Sequence, residues 1–476
     1  MKFTTLSHAG LLVEHAGTSV LCDPWLIGSC HWRGWWNYPE PSRELVRSLK
    51  PDYIYLTHIH WDHFHGASLK LFPKDTPILI PKFPSRHMPM DLNSLGFHNI
   101  REMPHAARME LAPGFSLHSF QFGVDHDSAV VLTDGVITLL NANDCKIFGL
   151  PLQQLRKRFR TFDFVLRSHS NARVLPYCLE DHDKYLPHFR TNQDYIEEFT
   201  NFCLSLHTRY AIPFASNHCF LHRDTERFNS TMVRPPAIAE YYQRRARQSG
   251  IDSRLVIMPA GSSWSAENGF TLRDFDYDNP ERYIEHMKRK YAKKLQRQYE
   301  LEEQAVFDAE AFRAYFEKFI GAFPWILARL KPFSITFKVQ DNHGSHHWLV
   351  DFGNGLVKPV EADSPFEVMI EIPAKVMNDC TTGMFRVWGA SKRGTVRLGH
   401  ETYLKQIQYF LTCLDYYEND IFPLWKNLTP RALSARLRRW REVVEVLRLA
   451  IKHTVLGRCV KVADLYLPAH EQHVRE

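Results

Sequence analysis

THIHWDHFHG, residues 57–66, sets four histidines and an aspartate within ten positions. It follows YIYL (53–56), a short aromatic and β-branched run that reads as a buried strand. His58 and His60 stand two apart at the end of that strand, so their side chains share one face. The chain then leaves the strand, and Asp62 and His63 can turn toward the same point. Three imidazoles and one carboxylate within six residues suit a dinuclear site, with one metal on His58 and His60 and the second on Asp62 and His63. Imidazole and carboxylate donors favour Zn, Fe or Mn over Ca or Mg. The alternative is a polar loop that is merely rich in histidine.

A dinuclear site needs further ligands, and the neighbouring strands offer them. SAVVLTDGVITLLNAND reads as two apolar strands joined at Asp134-Gly135, a pair favoured in type I′ turns. With a two-residue turn, Thr133 pairs with Val136. Asp144 then lies opposite Asp125, and Asn143 opposite His126. Asp144 is a candidate bridging carboxylate and His126 a candidate third ligand. A second hairpin signal at Ala16-Gly17 sets Asp23 beside the SHAG segment. AIPFASNHCFLH offers His218 at its polar tip, with His222 as a spare, and His105 and His169 compete for the same roles. Cys145 follows Asp144 and points to the opposite face of its strand, so it reads as packing.

The remaining chain frames this unit. Strands and helices alternate to about residue 270, which indicates an α/β domain with strands buried under helices. Residues 271–330 read as a helical connector opened by Asn279-Pro280, with Tyr283, Met287, Tyr291 and Leu295 on one side. Strands return in 331–412, a smaller α+β domain. Residues 413–476 form a C-terminal helical segment opened by Thr429-Pro430, an N-cap and first-turn pair. Leu433, Leu437, Trp440, Val444 and Leu447 make one apolar stripe on it. Between 426 and 458 there are nine Lys or Arg against two Glu. The stripe is expected to dock on the protein's own body with its arginines in water, and peripheral membrane contact is not expected.

Composition is that of a globular protein, 44% hydrophobic and 24% charged over 476 residues. The net charge of +6 fits a small anionic substrate and does not argue for nucleic acid. MKFTTLSHAG has no apolar signal region, and no run of about 18 apolar residues exists to span a membrane. Nine widely spread cysteines fit a reducing, cytoplasmic setting rather than a disulfide framework.

THIHWDH matches the H-x-H-x-D-H signature of the metallo-β-lactamase superfamily, and the flanking elements agree in order: DPWL at 23, the signature, a later His, Asp144 in NDC, and a late His. The resemblance covers about residues 1–265 and implies an αββα sandwich with metals at one edge. It carries over His58, His60, Asp62, His63 and Asp144 as ligands, with His126 and His218 as further candidates. HAGLLVE and DPWLIGSCHWRGWWNYPEP resemble the branch containing ascorbate-phosphate lactonase-like proteins. The GWW-YP-P piece is most similar to the metallo-β-lactamase-like part of CMP-N-acetylneuraminate hydroxylase, an oxygenase family that also carries a Rieske domain. This sequence contains no C-x-H…C-x-x-H Rieske pair. The strands of 333–400 resemble a sterol-carrier-like domain.

Two divalent ions, Zn or Fe with Mn also compatible, held about 3.5–4 Å apart would clamp an attacking and a leaving oxygen. The reading is therefore a dinuclear metal-dependent hydrolase acting on a small anionic metabolite through a metal-bound hydroxide, with Asp62 as the catalytic carboxylate steering the proton. The alternative is a di-iron oxygenase using O2 and an external electron donor. A binding protein that kept the fold is the non-enzymatic reading, and the intact His58/His60/Asp62/His63 set argues against it. Arg33 and Trp35 in the 30–39 loop, with Arg167, His169 and Arg173, are candidates for holding a ring or an anion, and Asp23 for supporting the ligands. The partner expected is a small molecule rather than nucleic acid, and a homodimer is compatible with the chain.

Overall fold

A computed structural model of the chain describes residues 1–123, 127–171, 175–454 and 462–466. Two sheets face each other. The first runs, edge to edge, Gly269–Thr271, Ser263–Ser265, Lys2–Thr5, Leu11–His15, Thr18–Cys22, Tyr53–Tyr55, Ile78–Pro81 and Ile100–Met103. The second runs Arg254–Leu255, Tyr210–Pro213, Phe164–Arg167, Thr138–Asn143, Asp127–Thr133, Phe115–Phe122 and Ala107–Ala112.

Alternation of side chains along each strand builds three apolar layers. Leu79, Val130, Leu132, Leu139 and Phe164 fill the space between the sheets. Ile78 and Ile80 turn outward, beneath Met88 and Leu92 of helix His87–Ser94. Val131, Leu140 and Val165 turn outward from the second sheet onto Leu152, Phe199, Phe202 and Tyr242, which lie on three helices. Strands buried on both faces read as unbroken apolar runs, which is why YIYL and PILIP lack a polar alternation. The result is the expected αββα sandwich.

The hairpin at Ala16-Gly17 forms as the sequence indicates, with His15 paired to Thr18 and both turn residues at positive φ. The second hairpin differs. Thr133 pairs with Thr138, not Val136, because the Asp134 carboxylate accepts from the Val136 N–H at 3.0 Å and the Ile137 N–H at 2.7 Å. The side chain turns four residues into the loop. The register moves by two, which keeps every side chain on its face but changes its partner. Continued toward the sheet end, it sets Asp144 across from Asp127 and Asn143 across from Ser128. The Asn143 amide accordingly donates to the Ser128 carbonyl at 2.8 Å.

Helices Pro280–Glu303, Ala309–Gly321 and Trp325–Leu330 lead to a five-stranded sheet: Leu356–Pro359, Gly344–Asp351, Ser334–Asp341, Val368–Pro373 and Thr395–Leu398. Its aromatic core (Phe312, Phe316, Phe319, Phe337, Phe410) is continuous with Trp25, Trp32 and Trp35 of the first sandwich. The tryptophan loop at 30–39 is thus packed between the two sheet systems.

A buried polar lock closes the same junction. The Arg393 guanidinium donates to both Glu302 oxygens at 2.9 and 3.0 Å, to Asp224 at 2.9 Å and to the Trp32 carbonyl at 2.8 Å. His222 joins it, with Nε2 3.5 Å from Glu302. Burial opposes charge on Glu302, but His222 and Arg393 outweigh it and hold its carboxyl down at about 2.

The apolar stripe of the C-terminal segment does not dock as expected. Leu433, Leu437, Trp440, Val444 and Leu447 are all exposed, and the helix is broken into Pro430–Arg438 and Trp440–Thr454. Polar anchoring groups occupy the inward side instead.

Removing one member of a buried charge lock leaves the other uncompensated, so Arg393→Met should destabilise the full chain by about 3–5 kcal/mol in urea unfolding. The contribution of Glu302 is present above its ordinary carboxyl value of 4.5 and is lost as pH falls toward about 2. Wild type and Arg393→Met should therefore converge in stability on acidification through that window.

Candidate metal centre

The ligand loop is held from below by Asp23. Cys22 pairs with Tyr55 in parallel strands, so the residues just past both strand ends are neighbours. Asp23 accepts from the Thr57 N–H at 2.8 Å and the Thr57 hydroxyl at 2.6 Å, and its second oxygen lies 2.7 Å from His63 Nδ1. The turn closes on itself as the N–H groups of His63 and Phe64 donate to the His60 carbonyl at 3.0 and 2.8 Å. Asp62 and His63 are thereby returned over His58.

Donor atoms converge in three overlapping groups: His58, His60 and Asp127; His58, His63 and Asp144; His8, Asp62 and His63. Within each, the ligand-type atoms lie within 4.8 Å of one another. His63 Nε2 is 3.4 Å from an oxygen of Asp62 and 3.4 Å from an oxygen of Asp144. That is longer than a charged N–H···O bond, about 2.7–2.9 Å. It equals the spacing of two ligands on a tetrahedral ion with bonds of about 2.0–2.1 Å, roughly 3.3–3.4 Å. His63 Nε2 is also buried without a hydrogen-bond partner. On these observations the residues fit a metal centre.

The electrostatics point the same way. Burial, reinforced by His63 and His60, holds the His58 imidazole well below its ordinary range, keeping a lone pair available. Burial opposes charge on Asp62, but His63 and His8 outweigh it and keep the carboxyl ionised well below the usual range. His63 is also opposed by burial, but Asp62 and Asp23 raise its pKa well above the ordinary value, and the negative charge that favours a proton on this ring would equally favour a metal cation in its place. Cys145 packs into the outer core, as the strand periodicity indicated, and burial drives its thiol well up.

Sequence reasoning missed His8 and Asp127. His8 lies in the SHAG segment, at the same sheet edge as Asp23, with Nε2 3.0 Å from Asp62. Asp127 is the last residue of VDHD and would have emerged from the correct hairpin register. His31, from the tryptophan loop, also reaches within 4.0 Å of Asp62, and burial pushes its imidazole down to about 3.

Other candidates lie elsewhere. His126, with Asp125 and Arg173, falls outside the described residues. His218 is stacked on Trp35 at 3.7 Å and lies 5.5 Å, ring to ring, from His8, outside the three donor groups. His169 is buried behind the site near Phe199, and burial pushes it down to about 3. His105 accepts from the Gln121 N–H at 3.1 Å between two phenylalanines, and His222 belongs to the charge lock. Arg33 donates to Ser29 at 3.0 Å. Arg167, expected near a substrate anion, is instead fully buried on the helical side. It bonds Glu198 at 2.7 Å, Tyr466 at 2.9 Å and the Cys145 carbonyl at 2.9 Å. Held by these three acceptors, the guanidinium is turned to the helical side and away from the metal cluster.

The five-stranded domain supplies the outer wall. Trp388 lies parallel to His60 at 5.2 Å and 7°, and Phe385 stacks on Trp61 at 3.9 Å. The Lys392 ammonium sits 4.7 Å over the Trp35 ring and 5.2 Å over Trp388.

No family model matches the chain. It is 25% identical over 404 residues to a putative Rieske 2Fe-2S iron-sulfur protein of Mycolicibacterium smegmatis, spanning 79% of this chain and 77% of that protein. It is 29% identical over 156 residues to the cytidine monophosphate-N-acetylneuraminic acid hydroxylase of Mus musculus, covering 30% of this chain and only 26% of that protein. Among solved structures it is similar to an isothiocyanate hydrolase from Delia radicum gut bacteria, at 18% identity and a TM-score of 0.41, covering 56% of this chain and 99% of that one.

Proposed function

We propose that the chain is a dinuclear metal-dependent hydrolase of a small anionic metabolite. The observation that carries this reading is the chain of donor groups sharing His58 and His63 within one buried edge. His58, His60 and Asp127 would hold one ion; His8, Asp62 and His63 the other; Asp144 stands between them. Ions bound here supply Lewis acidity, which polarises a substrate oxygen and makes water acidic enough to act as a nucleophile near neutral pH. Asp23 fixes the His63 ring so that Nε2 faces the cluster. Asp62, ionised and beside His8, is placed to accept a hydrogen bond from an attacking water and so steer its proton. Lys392 adds a positive charge at the wall, which supports an anionic substrate.

A second reading, a di-iron oxygenase drawing electrons from an external donor, is favoured by the Rieske protein and hydroxylase among the relatives. Three carboxylates in the donor set also suit iron or manganese. Elemental analysis of protein grown with both metals and purified without chelator separates the two. About two zinc per chain supports hydrolysis. About two iron, with O2 uptake on adding a reductant, supports oxygenation. A chain with no tightly held metal overturns both.

Substitutions at two positions that support the ligands test the site without a known substrate. Asp23→Ala should weaken metal binding about tenfold to a hundredfold, measured by competition with a chromophoric chelator. Trp388→Ala should weaken it by about tenfold through a loosened His60, while Trp388→Phe retains wild-type affinity.

A further inference from the structure

The C-terminal helices attach to the body by their polar side. Arg431 donates to the Phe83 carbonyl at 2.7 Å and to the Glu102 carboxylate at 2.8 Å. Ala432 and Ala435 are buried beside it. Arg439 donates to the Gly123 carbonyl at 2.6 Å, Glu442 accepts from the Gly123 N–H, and Glu445 accepts from the Leu150 N–H at 3.3 Å. The opposite side carries Leu433, Leu437, Trp440, Val444, Leu447 and Ile451, alternately four and three apart, with exposures from 44% to 73%. An amphipathic helix on a globular body ordinarily turns this stripe inward.

The apolar surface continues beyond these helices. Phe323 packs on Phe422 at 4.4 Å, so the two segments leaving that contact are neighbours. They present Trp325 and Leu330 on one side, and Trp425 and Leu428 on the other, all at least 64% exposed. Exposed Arg329, Lys331 and Arg438 are interspersed, while Arg448 reaches back to Glu445 at 3.7 Å. The only carboxylates between 424 and 454 are Glu442 and Glu445, both turned inward onto backbone N–H groups. The outward face is therefore apolar and cationic, with no acid of its own.

We propose that this face docks reversibly on an anionic phospholipid surface. Exposed tryptophan with leucine suits the interfacial region of a bilayer, and the outward cations Arg329, Lys331 and Arg438 suit lipid phosphates. A second copy fits poorly, because a twofold contact would set arginines against arginines with no carboxylate between them. Among the described residues no helix is long and apolar enough to cross a membrane, so the contact is with the surface.

The full chain is mixed with vesicles of phosphatidylcholine alone, or of phosphatidylcholine with phosphatidylglycerol, and sedimented. Binding to the phosphatidylglycerol vesicles, weakening as salt is raised, is the expected result. Leu437→Glu with Leu447→Glu should lower that partitioning at least about tenfold, equivalent to 1.4 kcal/mol, with unchanged thermal unfolding. Failure to sediment with the phosphatidylglycerol vesicles overturns the proposal. So does equal binding to both vesicle types. A lipid-free dimer that Leu437→Glu dissociates also overturns it, assigning the face to a second copy.

Discussion

The Asp23 carboxylate is the constraint on which the metal edge depends. It lies just past one strand, grips Thr57 just past its parallel neighbour, and reaches His63 in the turn beyond. A single buried acid thus converts the end of a sheet into a fixed frame for a ligand loop. Two opposed sheets deliver the rest: His8 arrives from the first, and Asp127 and Asp144 from the second. Convergence of donors from both sheets requires the apolar layer between them to set their spacing. The side chains of Leu79, Val130 and Phe164 are therefore as necessary to the centre as its histidines.

The second sheet system is built into this site rather than tethered to it. Trp25, Trp32 and Trp35 share one core with Phe312 and Phe337, and Arg393 inserts its guanidinium among Glu302, Asp224 and the Trp32 carbonyl. Through Trp388 and Lys392 the same domain reaches His60 and Trp35. A junction this apolar, with an ion-paired arginine buried in it, resists hinge motion. The wall is accordingly part of the site's resting geometry.

The C-terminal segment follows the opposite logic. Its helices are fastened by arginine and glutamate contacts to backbone groups, and its leucines and tryptophan face outward. The stripe is legible in the sequence, yet periodicity defines only that a face exists. Which way it turns depends on what the rest of the surface offers, and the sandwich here offers carbonyls, N–H groups and Glu102.

Residues 57–66 by themselves determined the cluster of His58, His60, Asp62 and His63, because spacing at a strand end dictates which side chains share a direction. Unbroken apolar runs likewise determined an α/β unit with strands buried under helices, and the resemblance carried by THIHWDH implied the sandwich. Tertiary structure alone decided which remote residues complete the cluster. His8 and Asp127 enter through strand neighbours, and a two-residue shift at Asp134 was enough to exchange Asp125 for Asp127 opposite Asp144. It also took Arg167 out of the site, since a guanidinium at a strand end points to either face according to where an acid waits, and Glu198 waits on the helical side. Local spacing fixes direction within one segment, whereas the meeting of segments is set by register and packing, which no local pattern encodes.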